Sequence, residues 1–342
     1  MNSTMSSWSS IKATTVFTFI LSLLAIAAYS EKDPQNDLTG PSFDDPAHIQ
    51  EMPEKWKKQP VKYSSANADA DIVITLDGQM FDAWERIINK FAAKNNLKII
   101  TNRGTCGVSA GELSRKSIDI GAFCCPPHAT DRFPALKFHT VGISAIAFLV
   151  HPDNPVDNIT VKQAREIFQG KTYRWADVMP EGKGKSTSLL IQPVGRLHCK
   201  LRPGHWRLLL DNEDLFSPGL LEIGAIPDMI SQVAINKRAI GYEIPWMTNY
   251  YKNTGRVKIL SINGHSPNER AHVISTDYPF YRVYSFTTWE TDSTKNPQAH
   301  KLVDYLMQQS EHLDSKYSFI PSSSLRQAGW KFRNNELVGE PD

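Results

Sequence analysis

All four cysteines of the 342-residue chain fall in three short stretches: Gly104-Thr105-Cys106-Gly107, Phe123-Cys124-Cys125-Pro126 and Arg196-Leu197-His198-Cys199. Thiolate, thioether and imidazole groups are soft or borderline donors that suit Cu(I), Zn(II) or arsenite-like species. Cys106, Cys124, Cys125 and Cys199, with His198 and His205, therefore make up the candidate metal-ligating set. The same thiols could pair as disulfides. They could also act as nucleophiles if a histidine base (His128, His198 or His205) stood beside one. Arg196 is the best single anion ligand, because a guanidinium forks onto two oxygens.

Other motifs carry less. The chain has no His-Glu-x-x-His and no Cys-x-x-Cys. Glu181-Gly182-Lys183-Gly184-Lys185-Ser186 resembles a phosphate-binding P-loop, but Met179 stands where the motif needs glycine. His198 and His205 are separated by Pro203-Gly204, which argues for a shared loop rather than one helix face. His128 and His139 read as surface or loop histidines, and Trp84, Phe168, Trp175 and Trp246 as packing residues.

The bulk properties limit the classes. Lys12 is the only charge before residue 31, and an apolar run from Val16 to Tyr29 leads to small residues Ala28 and Ser30. That pattern is an export signal, expected at 1–30 and cleaved. The run is short for a bilayer span of about 20 apolar residues, so a retained anchor is the lesser expectation. Without residues 1–30, Lys plus Arg falls from 38 to 37 against 36 Asp plus Glu, a net charge of +1. A near-neutral chain has no electrostatic footprint for nucleic acid.

Elements that could position these residues follow in order. Residues 31–69 are polar and Pro-bearing, and are expected to form a solvated leader. Ala70–Thr75 reads as a strand, and Phe81, Trp84, Ile87, Ile88 and Phe91 recur at helical spacing. Strands at 97–100, 118–122, 143–150, 188–194, 239–242 and 281–287 alternate with helices near 109–116, 161–168, 206–211, 228–236 and 299–309. Thr160 is placed to cap the helix at 161. The alternation predicts an α/β fold with parallel sheets.

Several segments resemble the phosphate-binding-like periplasmic solute-binding proteins. Asn154–Thr160 with Gln163 and Ile167-Phe168-Gln169-Gly170, then Trp175–Val178, Ile191–Val194 with Arg196, Ala239–Tyr242 and Tyr278–Arg282, keep that family's order from about 70 to 325. The resemblance implies two lobes closing on a ligand, each a mostly parallel sheet flanked by helices. Lobe one would be discontinuous, 70–150 plus 256–342, with 151–255 as lobe two. Four loops would line the site, and the resemblance carries them onto Gly78, Gln79 and Met80; Thr105, Cys106 and Gly107; Cys124 and Cys125; and Arg196, His198, Cys199 and His205.

Each loop departs from the family's hydroxyl-rich pattern, and sulfur replaces donors that a phosphate would need. The expected ligand is therefore a soft metal, metalloid or sulfur-containing species, held without catalysis. Phosphate or another oxyanion is the alternative, with structural disulfides such as Cys106 with Cys124 or Cys125; a thiol redox protein is the other. The implied partners are a small solute or metal ion and an inner-membrane transporter or sensor. The chain would act as a monomer, periplasmic or secreted.

Overall fold

Trp56 decides the fate of the segment before the first strand. It lies in a short helix, α1 (Glu54–Lys57), and its indole N–H donates to the Ser114 carbonyl at 2.6 Å. Lys116, only 2% exposed, sends its ammonium to the carbonyls of Trp56 (2.7 Å), Lys57 (3.2 Å) and Gln59 (2.6 Å). The same ammonium sits 4.2 Å from the centre of the Trp56 ring. Three carbonyls and a π face replace the water that burial removes. Met52, Val61 and Tyr63 pack on the core beside Trp56. Residues 43–69 are thus part of the fold, not the solvated leader that their polarity suggested. Their apolar groups are scattered rather than periodic, so no pattern announces them.

The computed structural model describes residues 43–179, 189–196, 209–210 and 213–342. The expected signal at 1–30 and the P-loop-like run at 181–186 lie outside the described residues. So do His198, Cys199 and His205, and the helix expected at 206–211 apart from Leu209 and Leu210, which are not helical.

From β1 (Ile72–Asp77) the chain runs through α2 (Gly78–Asn95), β2 (Ile99–Gly104), α3 (Cys106–Ser114), β3 (Ile120–Phe123), β4 (Leu136–Ala145) and β5 (Ala147–Val150). There follow β6 (Asn158–Ile159), α4 (Val161–Gln169), β7 (Gln192–Gly195), β8 (Leu221–Glu222), α5 (Ile226–Ile235), β9 (Ala239–Glu243) and α6 (Pro245–Tyr250). The remainder is β10 (Lys258–Ile259), β11 (Ser261–Ile262), α7 (Arg270–Ile274), β12 (Tyr281–Trp289), α8 (Pro297–Gln309), β13 (Phe319–Pro321), α9 (Ser322–Gln327), β14 (Lys331–Arg333) and β15 (Glu336–Gly339).

Local chemistry sets these boundaries. The Asp77 carboxylate accepts from Gln79 N–H, so α2 starts at Gly78, earlier than the apolar spacing alone suggested. It ends where Asn96 turns left-handed at φ 53°, a conformation Asn tolerates. Thr160 and Gln163 form a reciprocal capping box for α4, which Gly170 terminates at φ 76°. Trp84, Phe168, Trp175 and Trp246 are all buried.

Two principal sheets result. One has the order β13-β4-β12-β3-β1-β2, the other β10-β5-β9-β7-β8. Within these two sheets parallel pairing is confined to β3-β1-β2 and β9-β7-β8, and the remaining neighbours are antiparallel. The sheets are therefore mixed rather than mostly parallel, because β12 returns antiparallel between β3 and β4. The expected strand at 143–150 divides after Ala145, with β4 in the first sheet and β5 in the second. Close packing demands glycine at one position here: a Cβ on Gly142 would lie 2.1 Å from the Ile320 carbonyl oxygen across the β4–β13 pair.

His139 is not a loop residue but sits on β4, its Nε2 2.8 Å from Thr288 Oγ1 on β12. Burial depresses its pKa from 6.5 to about 4. Above pH 6.5 the group costs nothing. As pH falls from 6.5 towards 4, the unfolded chain takes up a proton that the fold refuses, and stability drops by at most about 3 kcal/mol. Denaturant titrations at pH 7.5, 5.5 and 4 should show this loss in the native chain and a smaller one in His139→Gln. Parallel losses in both would discount the histidine.

Candidate ligand cleft

Parallel strands leave their carboxyl ends open to a ligand, and here two sets of such ends meet. Asp77 closes β1, Gly104 closes β2, and Cys124 follows β3. From the second sheet, Arg196 follows β7, Gly224 and Ala225 lie beyond β8, and Glu243 closes β9. A cavity of about 310 Å³ opens among Asp77, Gly78, Gln79, Gly104, Thr105, Cys124, Arg196 and the 224–227 turn, with Arg103 and Tyr251 at its edge.

Three helices begin on this cavity. The first turn of α2 supplies Gly78 and Gln79, Thr105 caps α3 by accepting from Val108 N–H, and Ile226 and Pro227 start α5. Free backbone N–H groups and the helix dipole favour an anion at such ends.

Arg196 is 7% exposed, and its Nη2 lies 2.6 Å from Glu243 Oε2. Among the described residues its Nε has no hydrogen-bond partner. Glu243, with no exposure, also accepts from Ile244 N–H at 2.9 Å and from the Gln79 side-chain amide. Tyr284 in turn donates to Gln79 Oε1 at 3.4 Å. The guanidinium is thus held in place by an acid on the neighbouring strand, and its charge is largely balanced.

The thiols form the floor. Cys106 Sγ lies 3.1 Å from Cys124 Sγ, accepts the Cys124 N–H at 3.1 Å, and is 3.9 Å from Asp77 Oδ2. Burial pushes the Cys106 thiol well above its ordinary pKa; Cys124 is raised chiefly by its hydrogen bond with Cys106. Asp77, Cys106 and Cys124 bring one donor atom each within 4.8 Å of one another. Two thiolates on a tetrahedral zinc ion stand about 3.8 Å apart, given Zn–S bonds of about 2.3 Å. The sulfurs here stand about 0.7 Å closer than that, nearer to a thiol–thiol contact than to a zinc site.

Of the residues named from sequence, Gly78, Gln79, Thr105, Cys124 and Arg196 line the cavity, and Cys106 lies directly behind Cys124. Met80 does not: it is a core residue beside Trp84, Trp246 and Phe319. Gly107 is exposed and Cys125 is buried, and neither lines the cleft. Sequence reasoning missed Glu243, although it is an acid ending an otherwise apolar buried strand. It missed Asp77 as a side-chain participant, and the start of α5, which the proline at 227 marks.

It also passed over Gly107-Val108-Ser109-Ala110-Gly111, which matches the Gly-x-Ser-x-Gly pattern of a hydrolase nucleophile. Ser109 has no exposure, lies inside α3, and spends its hydroxyl on the carbonyls of Ala122 (3.0 Å) and Thr75 (3.3 Å). It is a packing residue.

Comparison with known proteins places this geometry. A family model described as a PBP superfamily domain matches residues 61–310. The phosphate-binding protein PstS of Bacillus subtilis is 25% identical over 244 residues, covering 69% of this chain and 76% of that protein. An ABC-type phosphate transport receptor from Vibrio cholerae superposes with a TM-score of 0.58 at 17% identity, over 73% of this chain and 99% of that one. A phosphate-bound substrate-binding protein from Clostridium perfringens gives 0.60 at 18% identity, again over 73% and 99%.

Proposed function

Because the chain belongs to the PBP superfamily, we propose that it is a non-catalytic receptor that binds a small oxyanion of the phosphate class and presents it to a membrane ABC transporter. The observation that carries this reading is the meeting of three helix N-termini and the buried Arg196 on one cavity. Backbone N–H groups and a guanidinium are the donors an oxyanion needs. Asp77 and Glu243 offset the positive charge, so the site suits a ligand of low charge that also donates an O–H.

The relatives point the same way, since all three names specify phosphate and two of them specify transport. They weigh against the soft metal, metalloid or sulfur ligand expected from the cysteines, as does the sulfur spacing. The remaining features follow from the same reading. The expected lobe boundaries shift with the sheets, since 147–150 and 258–259 belong to the second one, and the two lobes, built on the sheets of 72–145 with 281–321 and of 147–259, close on the ligand. The protein works as a monomer outside the cytoplasmic membrane.

Calorimetry of the full chain with phosphate, arsenate, sulfate and zinc tests the proposal. Phosphate or arsenate should bind, zinc should not, and Arg196→Lys should weaken the anion at least tenfold, the equivalent of about 1.4 kcal/mol, by losing the fork. Zinc binding without any phosphate heat would reverse the assignment.

A further inference from the structure

We infer that Cys106 and Cys124 are a reversible redox pair built into the floor of the cleft, which a peroxide closes to a disulfide. A disulfide bond is about 2.05 Å long, so the two sulfurs, now 3.1 Å apart, need move only about 1 Å. They already sit inside the spacing that two metal-bound thiolates would keep. The Cys124 N–H donates to Cys106 Sγ at 3.1 Å and fixes that sulfur beside its partner.

Access assigns the roles. Cys124 belongs to the cavity lining but is only 1% exposed, so hydrogen peroxide must enter through the cavity to meet it. Cys106 is fully buried behind it. Cys124 Sγ, deprotonated, attacks one peroxide oxygen; the O–O bond breaks, hydroxide leaves, and a sulfenic acid forms. Cys106 Sγ then attacks the Cys124 sulfur, the S–O bond breaks, and a second hydroxide leaves. Each hydroxide takes up one proton released from a thiol, so two S–H groups and one peroxide give one S–S bond and two waters. Asp77 Oδ2, 3.9 Å from Cys106 Sγ, is placed to accept that thiol's proton on the way. Arg282, fully buried on β12, lies within electrostatic reach of Cys124, but the Cys106 hydrogen bond and burial keep the Cys124 thiol protonated at neutral pH, so the oxidation is expected to quicken as pH rises. Cys125, buried and off the cavity lining, hydrogen-bonds to both thiols and is the competing partner that the Cys125→Ser variant tests.

The bond would tie the first residue of α3 to the residue after β3, and both elements end on the cleft. Redox state and ligand occupancy are therefore coupled; this consequence rests on the oxyanion reading, whereas the pair itself does not.

The test uses the full chain, reduced and then treated with hydrogen peroxide, alkylated in denaturant and mapped by mass spectrometry. A 2 Da loss with Cys106 and Cys124 peptides linked, reversed by dithiothreitol and retained in Cys125→Ser, is the expected result. Linkage to Cys125 or Cys199 instead, or both cysteines still alkylated, overturns the pair. Saturating phosphate should slow the linkage at least threefold. Phosphate that binds by calorimetry yet leaves the rate unchanged removes Cys124 from the ligand cleft. Absence of phosphate heat in either redox form would instead sink the receptor reading, while the peptide map still judges the pair.

Discussion

Glu243→Ala is expected to cost about 3–5 kcal/mol of folding stability, because removing one partner of a buried ion pair strands the other charge. Arg196 is 7% exposed and Glu243 is fully covered, so water cannot replace the lost carboxylate. Two further donors lose their acceptor with it, the Ile244 N–H and the Gln79 amide. The pair need not be strongly stabilising in itself, since desolvation offsets much of the attraction. A double replacement, Arg196→Met with Glu243→Leu, should therefore recover most of the loss. Chemical denaturation of the three variants checks this. A Glu243→Ala cost below about 1 kcal/mol would show that the guanidinium escapes to solvent.

The second large effect is expected from Trp84→Ala, again about 3–5 kcal/mol, the usual range for emptying a large aromatic site in a packed core. Trp84 is 1% exposed on α2 and meets Phe286 of β12 edge-on at 5.3 Å, and Phe319 of β13 at 6.1 Å. With Met80, Ile88 and Phe91 it seats α2 on the first sheet, and the first turn of α2 is one wall of the cleft. Trp84→Phe should retain most of the stability, because an aromatic ring still fills the site. Equal losses in the two variants would mean that the cavity volume is not what matters.

Much of the scaffold was legible in the sequence because it is encoded locally. Apolar spacing at 81–91 marked the buried face of α2, a β-branched run marked β1, and Thr160 with Gln163 carried its own cap. The clustering of thiols near two strand ends was legible as well, and so was Arg196 as the residue to watch. Partnerships were not. Arg196 and Glu243 are 47 positions apart, and Gln79 and Glu243 164 apart. Only the strand order, with β7 beside β9 and both facing α2 across the cleft, brings them together.

The same holds for Lys116, whose charge reads as solvated until the fold surrounds it with carbonyls from residues 56–59. It holds for the thiols too: composition alone argued for a soft metal, but the 3.1 Å separation and the carboxylate beside them belong to tertiary structure. Residue type and period specify which groups are buried and in what local conformation. Which buried groups neutralise one another depends on crossovers between distant strands, and no local pattern records that.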